Sequence, residues 1–161
     1  MTQSQMNQIS VVIPCYNSAQ TIEGCIKSLL NQSLKPDEII VVDDGSKDNT
    51  VNIARKFPVT VIQTEHLGPS HARNVGVMKS RGGYIVFVES DAWYKKTYIE
   101  GMITPMIKDR TVYATKGGGR EVWGSSKNLL NRFFNQRWKV AGHLRKRKER
   151  GVLGAWNFRR E

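Results

Sequence analysis

A chain of 161 residues has the length of one domain rather than two, because independent domains cluster near ~100–150 residues. With 39% hydrophobic and 24% charged residues it is an ordinary globular mixture, which excludes wholesale disorder and leaves a buried core affordable. Its net charge of +11 calls for an anionic partner, and no apolar run approaches the ~20 residues that a bilayer crossing needs.

Residues 9–13 form a short apolar run without alternation, the pattern of a strand covered on both faces, and Pro14 is expected to end it. A helix follows, capped by Ser18, with Ile22, Cys25, Ile26, Leu29 and Leu30 at helical spacing. Residues 37–42 supply a second buried strand that stops at two acids and a glycine. Asp48 or Ser46 caps a helix running to Lys56, residues 59–63 make a third strand, and residues 69–78 a helix with proline in its first turn. Residues 84–88 are the fourth strand. This alternation predicts an α/β fold, doubly wound around a mostly parallel sheet.

Further on, residues 95–107 read as a helix, 111–115 as a strand and 117–119 as a glycine loop. A long amphipathic helix is expected over 125–148, with Leu129, Leu130, Phe133, Phe134, Val140 and Leu144 on its apolar stripe. Arg137, Lys139 and the basic residues between Arg145 and Arg150 flank it, and a final strand is expected over 151–158. The cationic run is either a solvated face or a surface for acidic lipid head groups or phosphates. The expected organisation is a disordered stretch at 1–8, a ligand-binding α/β domain at 9–116, and a basic helix with a last strand of the same domain at 117–161. Cys15 and Cys25 lack any metal-ligand or disulfide spacing and read as free thiols. The polar opening lacks the layout of a signal peptide, so a cytoplasmic place is expected, extending to the inner membrane face if the cationic run binds lipid.

Chemistry concentrates where strands end, the edge at which open parallel sheets bind ligands. The first strand ends in Pro14-Cys15-Tyr16-Asn17, the second in Asp43-Asp44-Gly45-Ser46 and the fourth in Glu89-Ser90-Asp91. Tyr16 offers a ring on which a base can stack, and Asp44 can accept hydrogen bonds from a pyrimidine N–H or a ribose hydroxyl. Glu89 and Asp91 can hold a hard divalent cation that neutralises a diphosphate. Gly68 to Asn74 opens a helix with small residues, so backbone N–H groups and Arg73 can face phosphate oxygens. Each has a plainer alternative: Tyr16 as half-exposed packing, Asp43-Asp44 and Glu89-Asp91 as capped acidic turns, Arg73 in solvent. His66 and His71 read as loop or surface histidines.

Taken together, these blocks resemble family 2 glycosyltransferases. Val11 to Asn17 is similar to the family's opening strand and nucleotide turn, Ser28 to Ser33 to the end of the following helix, and Glu38 to Asp48 to its base-recognition strand. Gly68 to Gly76 and Gly82 to Tyr94 resemble its third block and its metal-site block. The resemblance implies a GT-A fold, C-terminally incomplete, that binds a nucleoside diphosphate sugar, UDP- or GDP-linked, with Mn2+ or Mg2+. It implies inverting transfer to a glycan or lipid-linked acceptor. The alternative is a nucleotide-sugar-binding module or fragment without transfer activity; nucleic acid is not an expected partner. Contacts to the nucleotide are expected from Pro14, Tyr16, Asn17, Asp43, Asp44, Arg73 and Ser90, and to the metal from Asp91 and Glu89. The family usually has Asp-x-Asp where this chain has Glu89-Ser90-Asp91, which makes Glu89 the weaker ligand. The sequence up to Glu161 resembles the stretch before the family's catalytic base, and no general base is assigned.

Overall fold

The computed structural model describes residues 7–110, 112–116, 121–124 and 156–159. The glycine loop at 117–119, the helix expected over 125–148 and its cationic run therefore lie outside the described residues. The elements are, in chain order, β1 (Ile9–Cys15), α1 (Ile22–Leu30), β2 (Glu38–Asp43), α2 (Thr50–Ala54), β3 (Thr60–Gln63), α3 (Pro69–Lys79), β4 (Tyr84–Phe87), α4 (Tyr98–Lys108), β5 (Val112–Lys116), β6 (Glu121–Gly124) and β7 (Trp156–Arg159). The strands form one sheet in the order β3-β2-β1-β4-β7-β5-β6. The first four pair in parallel, while β7 enters antiparallel between β4 and β5.

Strand β1 is central and buried along its whole length, which is why its sequence is apolar without alternation. Its odd residues Ile9, Val11, Ile13 and Cys15 pack with α1, with Ala54 of α2 and with Ile99, Ile103 and Met106 of α4. Val12 faces the other way, with Ile40, Val42, Ile85 and Phe87, against Ala72 of α3. Helix α3 comes close because residue 76 is glycine: a Cβ there would lie 2.2 Å from Val12 Cγ1.

Pro14 does not end the first strand as the sequence suggests. Val12 turns its carbonyl toward β4, where it accepts the Val88 N–H, and Cys15 turns its carbonyl toward β2, where it accepts the Asp44 N–H. Pro14 shares the parity of Val12, and pairing with β4 stops at Val12↔Phe87, so its missing N–H leaves no gap in the ladder. The fourth helix begins at Tyr98, later than periodicity suggests, because the preceding residues are tied to α1 instead. The Tyr94 N–H donates to Ser28 Oγ, the Lys95 carbonyl accepts from Gln32 Nε2, and the Lys96 carbonyl accepts from the Ser33 N–H. The Trp93 indole lies on Gly24, where a Cβ would fall 2.2 Å from its Nε1. Residues 93–96 thus run as a strap along one face of α1 and the turn that follows it, over positions 24, 28 and 32.

Ser18 does not cap α1 with its side chain. Its carbonyl accepts the Thr21 and Ile22 N–H groups, which frees the hydroxyl for other partners. Asp48 does accept the N–H of Thr50, the first residue of α2, at 3.0 Å.

Candidate functional site

The chain runs outward from β1 through β2 to β3, and α3 then returns it to β4 on the other side of β1. Strand order therefore reverses between β1 and β4, the place where doubly wound sheets open a crevice at their carboxyl edge. Tyr16, Asp44 and the 89–91 segment all lie at that edge.

The β1–α1 and β2–α2 loops are laced together. Asn17 adopts φ 48°, a left-handed conformation that asparagine tolerates better than most residues. Its Oδ1 accepts the Lys47 N–H and its own N–H donates to Ser46 Oγ, both at 2.8 Å. Asp43 is fully buried and accepts the Ser46 N–H at 3.0 Å. Asn17 and Asp43 thus have demonstrable work in framing the edge.

Asp44 is only 2% exposed, and the β3–α3 loop occupies its carboxylate. Oδ1 accepts the Leu67 N–H at 3.0 Å and lies 3.3 Å from Thr64 Oγ1, while Oδ2 accepts the Gly68 N–H at 2.8 Å. The same loop carries His66. Its ring stacks on Tyr16 with centroids 4.1 Å apart and planes 27° apart, and its Nδ1 stands 2.9 Å from the Asp44 carbonyl oxygen. A carbonyl only accepts, so Nδ1 carries the proton. Gly45, at φ 77°, admits this arrangement, since a Cβ there would sit 3.2 Å from the His66 nitrogen. Tyr16 keeps 41% exposure although one face is taken.

Beyond β4 the chain turns, with the Ala92 N–H directed at the Glu89 carbonyl at 3.4 Å, so simple strand alternation does not set the direction of the two acids. Glu89 pairs with Arg73, Nη2 to Oε1 at 2.8 Å. The Arg73 side chain is 20% exposed, so it is not the solvent-borne residue of the plainer reading, and its Nε is buried without a hydrogen-bond partner. His71 is likewise half-buried, with an unpartnered Nδ1, and sits in α3 rather than in a loop. Ser90 Oγ lies 2.9 Å from the hydroxyl that Ser18 did not use as a cap. Asp91 is exposed and makes no hydrogen bond or ion pair with the described residues. Both acids are close enough to bear on Cys25, whose thiol is pushed up to about 12, by burial first and then by the charges of Asp91 and Glu89. Cys15 is raised further, by burial and then Asp43, so both free thiols are held protonated and inert.

No three His, Cys, Asp or Glu side chains converge as a metal cage among the described residues. That is compatible with Mg2+ or Mn2+, which take one or two carboxylates and complete their shell with water and substrate phosphate. The exposed, unpaired Asp91 suits that role, whereas Arg73 already engages Glu89. Sequence reasoning missed His66 and Tyr94. Tyr94 OH accepts the Glu89 N–H at 2.7 Å and pins the acidic turn, and burial raises its phenol. No local pattern marks either residue.

The sequence pattern of glycosyl transferase family 2 matches residues 10–158. Glycosyltransferase GlyA of Streptococcus pneumoniae serotype 4 is 34% identical over 107 residues, covering 63% of this chain and 15% of that protein. Among solved structures, S. aureus TarS 1-349 in complex with UDP aligns with a TM-score of 0.59 and 30% identity, over 73% of this chain and 38% of that one. Mannosyltransferase PcManGT from Pyrobaculum calidifontis, in complex with GDP-Man and Mn2+, aligns with a TM-score of 0.61 and 27% identity, over 66% and 34%. This chain thus spans 15–38% of the length of these three proteins. The fold is of the GT-A type. Among the described residues no helix is long and apolar enough to cross a membrane.

Proposed function

Since the chain belongs to glycosyl transferase family 2, we propose that its cleft binds a UDP- or GDP-linked sugar with a divalent cation, for inverting transfer to a hydroxyl or lipid-phosphate acceptor. The observation that carries this reading is the meeting of three unlike groups at the β1/β4 switch point: an open aromatic face, a guanidinium and an unpaired carboxylate. They match the three parts of a nucleoside diphosphate and its counter-ion. Tyr16, backed by His66, takes the base on its open face. Asp44 acts mainly through the loop it holds, which fixes the height of the base slot, while Pro14, Asn17 and Asp43 fix its floor. Arg73 and the first turn of α3 face the phosphates. Ser90, held by Ser18, spaces the two acids. Asp91 would hold Mn2+ or Mg2+, and the bound ion supplies charge neutralisation to the leaving diphosphate. The known complexes of the two structural relatives, with UDP and with GDP-Man and Mn2+, support this choice of ligand. The cationic sequence at 137–150 supports a peripheral place on an anionic membrane, where a lipid-linked acceptor would be met.

Titration calorimetry with UDP and GDP, with and without Mn2+, tests the reading. Binding should require the cation, because a diphosphate brought to Asp91 unaccompanied meets like charge. Tyr16→Ala should weaken the metal-dependent binding by about 1–3 kcal/mol, the range of base–aromatic stacking. Loss smaller than experimental error would remove Tyr16 from the base slot.

Asp91→Asn should abolish the dependence on Mn2+ together with most of the affinity. The change removes a charge that no described residue balances, so the fold should melt within a few degrees of the parent. A variant that still needs Mn2+ for binding, at the same concentration, would show that the ion is held elsewhere.

A further inference from the structure

The spacing of Glu89 and Asp91 suggests a pair of cation ligands, but the two carboxylates stand in different surroundings. Asp91 is exposed and unpaired among the described residues, whereas Glu89 is fixed from two sides. Its main chain is held by the Tyr94 hydroxyl, which accepts the Glu89 N–H at 2.7 Å and is 3.3 Å from its carbonyl, and by Cys25 Sγ, 3.4 Å from the same carbonyl. Its carboxylate meets Arg73 at 2.8 Å. Arg73 itself rides on a helix seated closely on the sheet, with Gly76 against Val12 and Ala72 fully buried.

We propose that Glu89 is the positioning residue for Arg73, and not a cation ligand, so that a fixed guanidinium is presented to the diphosphate while Asp91 alone among the two acids meets the ion. This rests on the nucleotide-sugar reading of the cleft. Two arguments of charge support it. A divalent ion on the Glu89 carboxylate would stand beside the guanidinium that the same carboxylate holds, and like charges at that range repel strongly in a half-buried site. Conversely, an arginine with an unpartnered buried Nε would otherwise lose rotamer freedom only when ligand arrives. Glu89 has already removed that freedom, the preorganisation that charged binding sites need. The ion pair is also near neutral, so the ion is drawn to the carboxylate that remains uncompensated.

The test separates the two roles of an acid. In the ligand-free protein, the Arg73 Nε–H should give a slowly exchanging 15N-edited NMR signal, and Glu89→Gln should shift it and speed its exchange. In calorimetry with Mn2+, Glu89→Gln should weaken UDP roughly 5- to 30-fold while leaving uridine unchanged, and adding Arg73→Met to it should cost far less than Arg73→Met does alone. The Mn2+ half-saturation at saturating UDP should stay within about twofold of the parent. Glu89→Asp, which keeps the charge but shortens the reach, should recover part of the affinity. A Mn2+ half-saturation displaced by Glu89→Gln as far as by Asp91→Asn would make Glu89 a ligand and overturn the proposal. An unchanged Arg73 signal in Glu89→Gln would overturn it as well. If the parent protein binds neither UDP nor GDP, the cleft reading fails, and the NMR arm still decides the Glu89–Arg73 link.

Discussion

Asp44→Asn is expected to lower the thermal midpoint by about 4–16 °C and to abolish the metal-dependent binding of UDP. The buried carboxylate spends one oxygen on the Leu67 N–H and the other on the Gly68 N–H. An asparagine keeps one acceptor and turns an amide donor toward the other N–H. One buried donor is left unmet at about 1–3 kcal/mol, and the remaining bond loses its charge assistance, for a further 1 kcal/mol or so. A sum of about 2–4 kcal/mol is large against the ~5–15 kcal/mol that hold an ordinary domain, and each kcal/mol moves the midpoint of a chain this size by roughly 2–4 °C. The loop that carries His66 would leave Tyr16, so the base slot should go with it. Calorimetric melting decides: an unshifted midpoint would mean that the loop is not held by Asp44.

Gly76→Leu should be strongly destabilising, costing about 3 kcal/mol, the upper end of ordinary overpacking. Helix propensity argues the opposite way, since replacing an interior glycine gains up to about 1 kcal/mol. Packing wins because the added Cβ would lie 2.2 Å from Val12 Cγ1 and 3.2 Å from its Cβ, and valine has no rotamer that withdraws all of these atoms. Helix α3 must rise from the sheet and take Arg73 with it. The check is a cycle in chemical denaturation. Gly76→Ala and Val12→Ala should each destabilise, and the double variant should recover part of the loss, because the alanine at 12 clears the methyl that the alanine at 76 meets. Additive losses would mean that the close approach at residue 76 is not what sets the helix position.

What could be read from the sequence, and what could not, divides by the range of the interactions. The central strands were legible because burial on both faces leaves an unbroken apolar run, and α3 because Gly68-Pro69 marks its start. The three polar strand ends were legible as a group, since a parallel sheet brings its carboxyl ends to one edge. Pro14 was misread because its tolerance depends on where β4 stops, 73 residues later at Phe87. Residues 95 and 96 were misread as helix because their carbonyls accept from Gln32 and Ser33, more than 60 residues earlier and just past the end of α1. His66 gave no signal, as its role comes from stacking on a tyrosine 50 residues before it. The pairing of Glu89 with Arg73 was hidden for the same reason: a motif states which acids are adjacent in the chain, and not which base will claim one of them.

The strap over α1 makes the length of that helix a mechanical dimension of the site. Its contacts fall at Gly24 and Ser28, one helical turn apart, and at Gln32 just past the end of the helix, so they act like teeth engaged along a rack. Inserting or deleting one residue between Gly24 and Ser28 rotates the following part of the helix by about 100° and advances it by about 1.5 Å, and the remaining teeth miss. The strap leads directly out of the acidic turn, so the misfit would be passed back to Asp91 and not absorbed in solvent. Substitutions on the outer side of α1 are free of this constraint, while a change in its residue count is not.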